Sequence, residues 1–307
     1  MIVQIYEIQT PEEARQCIDL GVDQIGSVLL SQPDWQQQSI KDVISACHGT
    51  PVRNSLIPLF RDRETLYRAA EFYRPHFIHF CESLTDHAGR KPDLEEFIEL
   101  QEGMKNTFPE IGIMRSIPIP PKGVLPGFPS LDMARELEAV TDIFLTDTYL
   151  GKEPVEGYIG ITGKRADPEM ARQLVLQSQI PVILAGGLSP ENVYGAIMEV
   201  LPAGADSCTL TNRVDSEGRP IRFHKDFRKV ERFVSEVRRA EEALRLKREE
   251  LQAKMAQQRE ELREREEALP AHSVKPYQLL AIEELEEAIS LVEKELGAID
   301  KALSENP

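Results

Sequence analysis

Up to about residue 240, short apolar runs alternate with stretches whose apolar residues recur every three or four positions. The runs fall at 2–8, 24–30, 55–60, 76–80, 111–117, 142–147, 181–185 and 205–210, which gives eight expected strands. Runs so continuously apolar fit strands buried on both faces. Helical stretches at 11–20, 40–47, 63–73, 94–106, 130–138, 168–177 and 190–201 separate them, and a further helix is expected from 226. Eight strand-then-helix units in this length predict an α/β fold, a closed (β/α)8 TIM barrel. A doubly wound open sheet is the alternative, but no G-x-G-x-x-G follows the first run.

Beyond residue 226 the pattern changes. Residues 226–269 are almost all helix formers, rich in Glu, Arg, Lys, Ala and Leu. The stretch 270–277 contains two prolines and breaks the pattern. A second helix follows with a heptad seam of Ile282, Leu285, Ile289, Val292, Leu296, Ile299 and Leu303. In the first helix Val237, Leu244 and Leu251 step by seven, and Met255, Leu262 and Leu269 continue in shifted phase, a stutter. The expected organisation is a barrel over 1–240 and a helical hairpin or coiled coil over 241–307. The hairpin either packs on itself or serves as a homo-oligomer or protein-partner arm.

Charge and cysteine content narrow the function classes. The 307-residue chain carries a formal net charge of -16, which argues against a nucleic-acid or anionic-membrane surface. No apolar run of membrane-spanning length occurs, and the first residues lack the pattern of a signal peptide. Cys17, Cys47, Cys81 and Cys208 are scattered without a C-x-x-C pair, as expected of a cytoplasmic protein. His76, His79 and His87 have no metal-ligand spacing with carboxylates, so no metal is expected.

The most informative local pattern is Leu184-Ala185-Gly186-Gly187-Leu188-Ser189-Pro190. A buried strand runs into two glycines, and Ser189 and Pro190 are suited to cap and begin a helix. Such a turn aims free N–H groups at one point and forms a phosphate cradle. A tight connection without a ligand is the plainer alternative. Lys164 lies in a second glycine-containing segment, Gly160-x-x-Gly163-Lys164-x-x-Asp167, and would bring positive charge beside the cradle.

Several segments in order resemble phosphoribosylanthranilate isomerase, a (β/α)8 enzyme family of tryptophan biosynthesis. They are 3–14, 21–28, 142–148, the Gly160–Lys164 loop, 184–193 and 224–234, and the seventh-strand segment 184–193 is the most specific. The coiled-coil tail is outside the family pattern. The resemblance implies an Amadori-type isomerisation of a phosphorylated aminosugar, an aldose–ketose conversion without a cofactor. It needs an acid at the ring oxygen and a base at C2′. The family's acid ends the sixth strand, where Asp147 stands. Its base is a cysteine of a Lys-Ile-Cys-Gly motif on the first strand, which here reads Gln4-Ile5-Tyr6-Glu7.

Other positions depart from the family as well. Its arginine after the second strand is missing around Gln36–Gln38, and Leu210 replaces the glycine of its eighth-strand phosphate loop. The candidate catalytic residues are therefore Asp147, Glu7 and Tyr6. The candidate substrate and phosphate ligands are Gly186, Gly187, Ser189, Lys164, Thr209 and Arg115. Arg115, on an apolar strand, needs an anionic partner: a substrate group or an internal carboxylate. His79, Cys81 and Glu82 complete the polar set expected at that face. Two other readings follow from the substitutions and the tail. One is a barrel with altered catalysis that senses a phosphate ligand or acts as a scaffold through its arm. The other is a lyase or epimerase using Glu7 and Asp147 as a carboxylate pair.

Overall fold

A computed structural model describes residues 1–86, 90–270, 272 and 275–304. All eight expected strands form: β1 (Ile2–Ile5), β2 (Gln24–Leu29), β3 (Arg53–Pro58), β4 (Phe77–Phe80), β5 (Gly112–Ile119), β6 (Ile143–Thr148), β7 (Val182–Leu184) and β8 (Gly204–Ser207). They are parallel, and β8 pairs with β1 to close the barrel, with Gln4 opposite Asp206. The helices are α1 (Pro11–Asp19), α2 (Gln38–Cys47), α3 (Arg63–Tyr73), α4 (Glu95–Thr107), α5 (Ser130–Leu137), α6 (Pro168–Gln177), α7 (Val193–Val200), α8 (Phe227–Glu267) and α9 (Pro276–Leu303). Local chemistry sets several of their starts. Thr10 and Asp167 each accept a backbone N–H of the first turn, and proline opens α1 and α6.

Most expected boundaries shift by a residue or two, and three move by three residues. β1 ends at Ile5 rather than residue 8, and Glu7 takes a left-handed φ of 62°. The helix expected from Pro190 begins at Val193. Asn192 holds the intervening turn by accepting from Ser189 N–H at 2.9 Å and donating to Gly187 O at 2.9 Å. The strand expected over 205–210 stops at Ser207. A 3-10 turn at Thr209–Thr211 follows, then an antiparallel hairpin of β9 (Asn212–Val214) and β10 (Pro220–Lys225) that the apolar pattern did not suggest.

The first half of α8 is the eighth barrel helix. Val230, Phe233, Val237, Ala240 and Leu244 are buried in the barrel's main apolar cluster. Arg238 donates to Asp23 Oδ2 at 2.7 Å, tying the helix to the start of β2. The helix runs unbroken through residue 240 and on to Glu267, about 60 Å in all at 1.5 Å per residue. α9 returns antiparallel along it, with Arg259 bonded to Glu293 at 2.6 Å and Arg265 to the Ala281 carbonyl at 3.2 Å. Ile282, Ile289, Val292, Leu296 and Ile299 of the expected seam are buried. Ile299 and Ala302 join the same cluster as Leu174 and Val175 of α6. Lys301 Nζ donates to the carbonyls of Val175 and Ser178 at the α6 C-terminus, where backbone acceptors are free and a cation is favoured. The seam is thus covered within the chain, by α8 and by the barrel wall. No helix among the described residues is long and apolar enough to cross a membrane.

Candidate active site

Two adjoining cavities open at the C-terminal ends of the strands, where (β/α)8 barrels carry their chemistry. The larger is walled by Val28, Ile57 and Leu59 on one side and by Tyr6, His79 and Ser116 at its floor. The smaller is lined by Gly163, Gly186, Gly187, Leu188, Thr209 and Leu210. Asp147, Asp206, Cys208 and Ile161 line both.

Tyr6 points inward, as the alternation of β1 requires. Its hydroxyl lies 2.5 Å from His79 Nδ1 and 2.7 Å from Ser55 Oγ, and His79 Nε2 lies 2.7 Å from Ser116 Oγ. The ring occupies space left open at Gly26 of β2, where an added Cβ would sit 2.1 Å from it. Burial holds the phenol well above its ordinary range and pulls His79 down to about 3, so the chain is neutral. Tyr6 is therefore part of a closed hydrogen-bonded floor and not a proton acceptor.

Glu7 is also committed elsewhere. Its side chain is 2% exposed, and Oε1 accepts from Arg222 Nε at 2.7 Å. Oε2 accepts from Asn212 Nδ2 at 3.1 Å and from Phe223 N–H at 3.4 Å. Although burial opposes it, the Arg222 guanidinium and then Lys225 hold this carboxyl below the usual range. An ionised, fully bonded carboxylate is a weak base, which removes the chemistry expected of Glu7. Lys225 is itself buried, donating to Cys208 O at 2.7 Å and Asn212 Oδ1 at 2.6 Å. The hairpin thereby clamps the ends of β1 and β8.

Asp147 sits at the mouth, where the sequence placed it. Oδ1 accepts the Thr148 N–H at 2.7 Å. Burial raises its pKa to about 7 against that hydrogen bond, with Glu153 adding to the rise. A carboxyl with this pKa can donate a proton at neutral pH.

The glycine turn has the geometry of a cradle. Gly186 and Gly187 have φ of 96° and 62°. A Cβ on Gly187 would lie 2.6 Å from the Lys164 carbonyl carbon, because the 160–167 loop packs directly on the turn. Thr148 Oγ1 fixes that loop by donating to Lys164 O at 2.6 Å. The N–H groups of Gly186, Gly187 and Leu188 have no acceptor among the described residues. Thr209 borders the same cavity.

Three expected ligands do not line these cavities. The Lys164 side chain is exposed and its backbone supports the turn. Ser189 accepts the Glu191 N–H at 3.2 Å in the following turn. Arg115 alternates with Ser116 and so points outward, away from the mouth. It is wholly buried, bonded to Glu82 Oε2 at 2.5 Å and Gln101 Oε1 at 2.7 Å and stacked near Phe80. Its anionic partner is the internal carboxylate. His87 lies outside the described residues; among those described, no group of three or more His, Cys, Asp or Glu side chains is placed to hold a metal ion.

Asp206 is the residue that sequence reasoning missed. It falls in the eighth run two positions before Cys208, and alternation would have placed both inward. The residue is 6% exposed, and Oδ1 is buried without a hydrogen-bond partner among the described residues.

The fold and site together define a (β/α)8 barrel with one composite pocket. It is apolar on one side, glycine-lined on the other, and carries two carboxyl groups between. No family model matches the chain. It is 28% identical over 238 residues, 77% of this chain and 97% of the relative, to an N-(5'-phosphoribosyl)anthranilate isomerase of Methanocella arvoryzae. The structure matches that enzyme from Pyrococcus furiosus with a TM-score of 0.54 at 20% identity, over 78% of this chain and 99% of that one. It matches equally, at a TM-score of 0.54 and 16% identity over 78% and 99%, a phosphoribosylanthranilate isomerase in complex with reduced 1-(o-carboxyphenylamino)-1-deoxyribulose 5-phosphate. The chain is thus similar in sequence and in fold to phosphoribosylanthranilate isomerases over about three quarters of its length, and a C-terminal helical hairpin extends it.

Proposed function

We propose that the chain is a cytoplasmic isomerase that converts N-(5'-phosphoribosyl)anthranilate, or a close aminosugar phosphate, to its ketose by an Amadori rearrangement. The observation that carries this reading is the joining of an apolar cavity to a glycine-lined one at Asp147. The substrate has the same layout: an aromatic ring, a phosphate, and the reacting ring oxygen between them. Val28, Ile57 and Leu59 would receive the aromatic ring, and the N–H groups of the 186–188 turn the phosphate. Asp147 would protonate the furanose oxygen. Arg222 borders the larger cavity, and its buried Nη2 has no hydrogen-bond partner among the described residues. It would serve the ligand carboxylate in place of the arginine missing after β2.

Binding of the reduced carboxyphenylamino-deoxyribulose phosphate tests the pocket apart from catalysis. Saturable binding by the whole chain is expected, weakened about tenfold or more when Gly187→Val crowds the cradle, one phosphate contact set being worth at least about 1.4 kcal/mol. A folded chain that does not bind it would overturn the reading.

A further inference from the structure

We propose that Asp206 on β8 is the second proton-transfer group of this site, supplying with Asp147 the acid–base pair that the first strand no longer provides. The assignment rests on the isomerase reading and adds a residue to it. Three observations place the role there. Asp206 is 6% exposed and lines both cavities together with Asp147. Its Oδ1 is buried with no donor among the described residues, although Lys225 lies near enough to influence it and spends its Nζ on Cys208 O and Asn212 Oδ1 instead. A buried carboxyl oxygen without a protein partner that faces a cavity is free to exchange a proton with whatever occupies it. And β1 pairs with β8 so that Gln4 lies opposite Asp206, which puts this carboxyl beside the strand where the related family keeps its base.

The alternatives at the same mouth are occupied. Tyr6 is held by Ser55 and His79, and Glu7 by Arg222 and Asn212. The Cys208 thiol is pushed up by burial and by the Glu7 and Asp206 carboxylates, against Lys225, and so stays protonated. Burial first, and the Asp147 carboxyl next, hold the Asp206 carboxyl well above its ordinary range against the pull of Lys225, so the two carboxyls keep a proton between them.

The step balances on these two groups alone. One carboxyl gives its proton to the furanose oxygen as the C1′–O bond breaks and the nitrogen lone pair forms C1′=N. The other, ionised, takes the C2′ proton; the C2′–H electrons form C1′=C2′ and neutralise the iminium. The enol then tautomerises to the ketone. The pair ends with its proton exchanged, and no oxidant or reductant enters.

The test compares wild type, Asp206→Asn and Asp206→Glu with substrate carrying hydrogen or deuterium at C2′. The expected result is wild-type turnover and a fall in kcat of about 100-fold or more in Asp206→Asn. The deuterium effect on kcat should rise, and the affinity for the reduced analogue should stay within about threefold, well inside one factor of ten or 1.4 kcal/mol. Asp206→Glu, which keeps the carboxyl, recovers part of the rate and provides the measurement if the amide variant does not fold. Turnover of either variant at the wild-type rate with an unchanged isotope effect would overturn the assignment and leave the isomerase reading intact. A folded wild type without turnover would overturn the isomerase reading itself.

Discussion

Arg222 on the β9–β10 hairpin donates to the Glu7 carboxylate at 2.7 Å, at a position where Glu7 holds a backbone φ of 62°. The ion pair makes Glu7 a structural anchor for the hairpin that walls the larger cavity. Its folded pKa is lowered, so its contribution is present above the ordinary carboxylate range and is lost as pH falls through the folded value. Glu7→Gln should therefore destabilise the chain by about 1–3 kcal/mol at pH 7, and the deficit should shrink as pH falls below about 4. Urea unfolding at several pH values measures both. Turnover should drop less than about tenfold, since a lost general base would cost 10²-fold or more; abolished turnover in a folded Glu7→Gln variant would return the base to Glu7.

Asp147 has the opposite sign. Its folded pKa is raised to about 7, so between the ordinary carboxylate range and pH 7 the folded chain binds more protons than the unfolded chain. Stability contributed by this site therefore falls as pH rises across that window. Asp147→Asn should melt at a higher temperature than wild type at pH 8, with the difference closing towards pH 4. The same variant should lose about 10²-fold or more of turnover. Equal melting temperatures at pH 8 would show that the carboxyl is not held against ionisation.

Gly187 separates cradle from scaffold. Gly187→Ala places a Cβ 2.6 Å from the Lys164 carbonyl carbon at a φ of 62°. The expected cost is about 1–3 kcal/mol of stability, with a rise in KM larger than the fall in kcat. A variant with unchanged KM and affinity for the reduced analogue would place the phosphate elsewhere.

The hairpin should unfold with the barrel. Ile299 is 1% exposed and shares an apolar cluster with Val175 and Leu174. Ile299→Ala should cost about 2–5 kcal/mol and lower the single transition of the whole chain. A separate early melting of α9, with the barrel transition unmoved, would show that the arm does not support the barrel.

Arg222 offers a sharper kinetic contrast. Arg222→Met removes both the Glu7 partner and the unpartnered Nη2 that borders the cavity. KM should rise about tenfold or more, as for loss of a charged hydrogen bond of about 1.5–3 kcal/mol. An unchanged KM in a folded variant would leave the ligand carboxylate to another group.

The barrel was readable because its strands are continuous apolar runs and its helices keep a period near four; β1 to β8 all lie where those runs fall. Asp147 and the Gly186–Gly187 turn were readable because a strand end and a glycine pair carry their meaning locally. The hairpin was not, since β10 mixes Arg222, His224 and Lys225 with its apolar residues and shows no clean alternation. Arg115 was ambiguous because an arginine on a buried strand requires an anion, and only packing shows that Glu82 supplies it. Asp206 was within reach of the alternation that turns it inward with Cys208, but its burial and that of Lys225 were hidden for a related reason. Their burial comes from the closing of β8 on β1 and from the hairpin folding over it, contacts between residues far apart in the chain.

Direct turnover tests the isomerase reading with the fewest intervening steps. Phosphoribosylanthranilate incubated with the purified full chain should lose its anthranilate-type fluorescence at a rate proportional to protein. Asp147→Asn, tested alongside, should abolish that loss. A folded wild-type chain that leaves the fluorescence unchanged would contradict the isomerase reading.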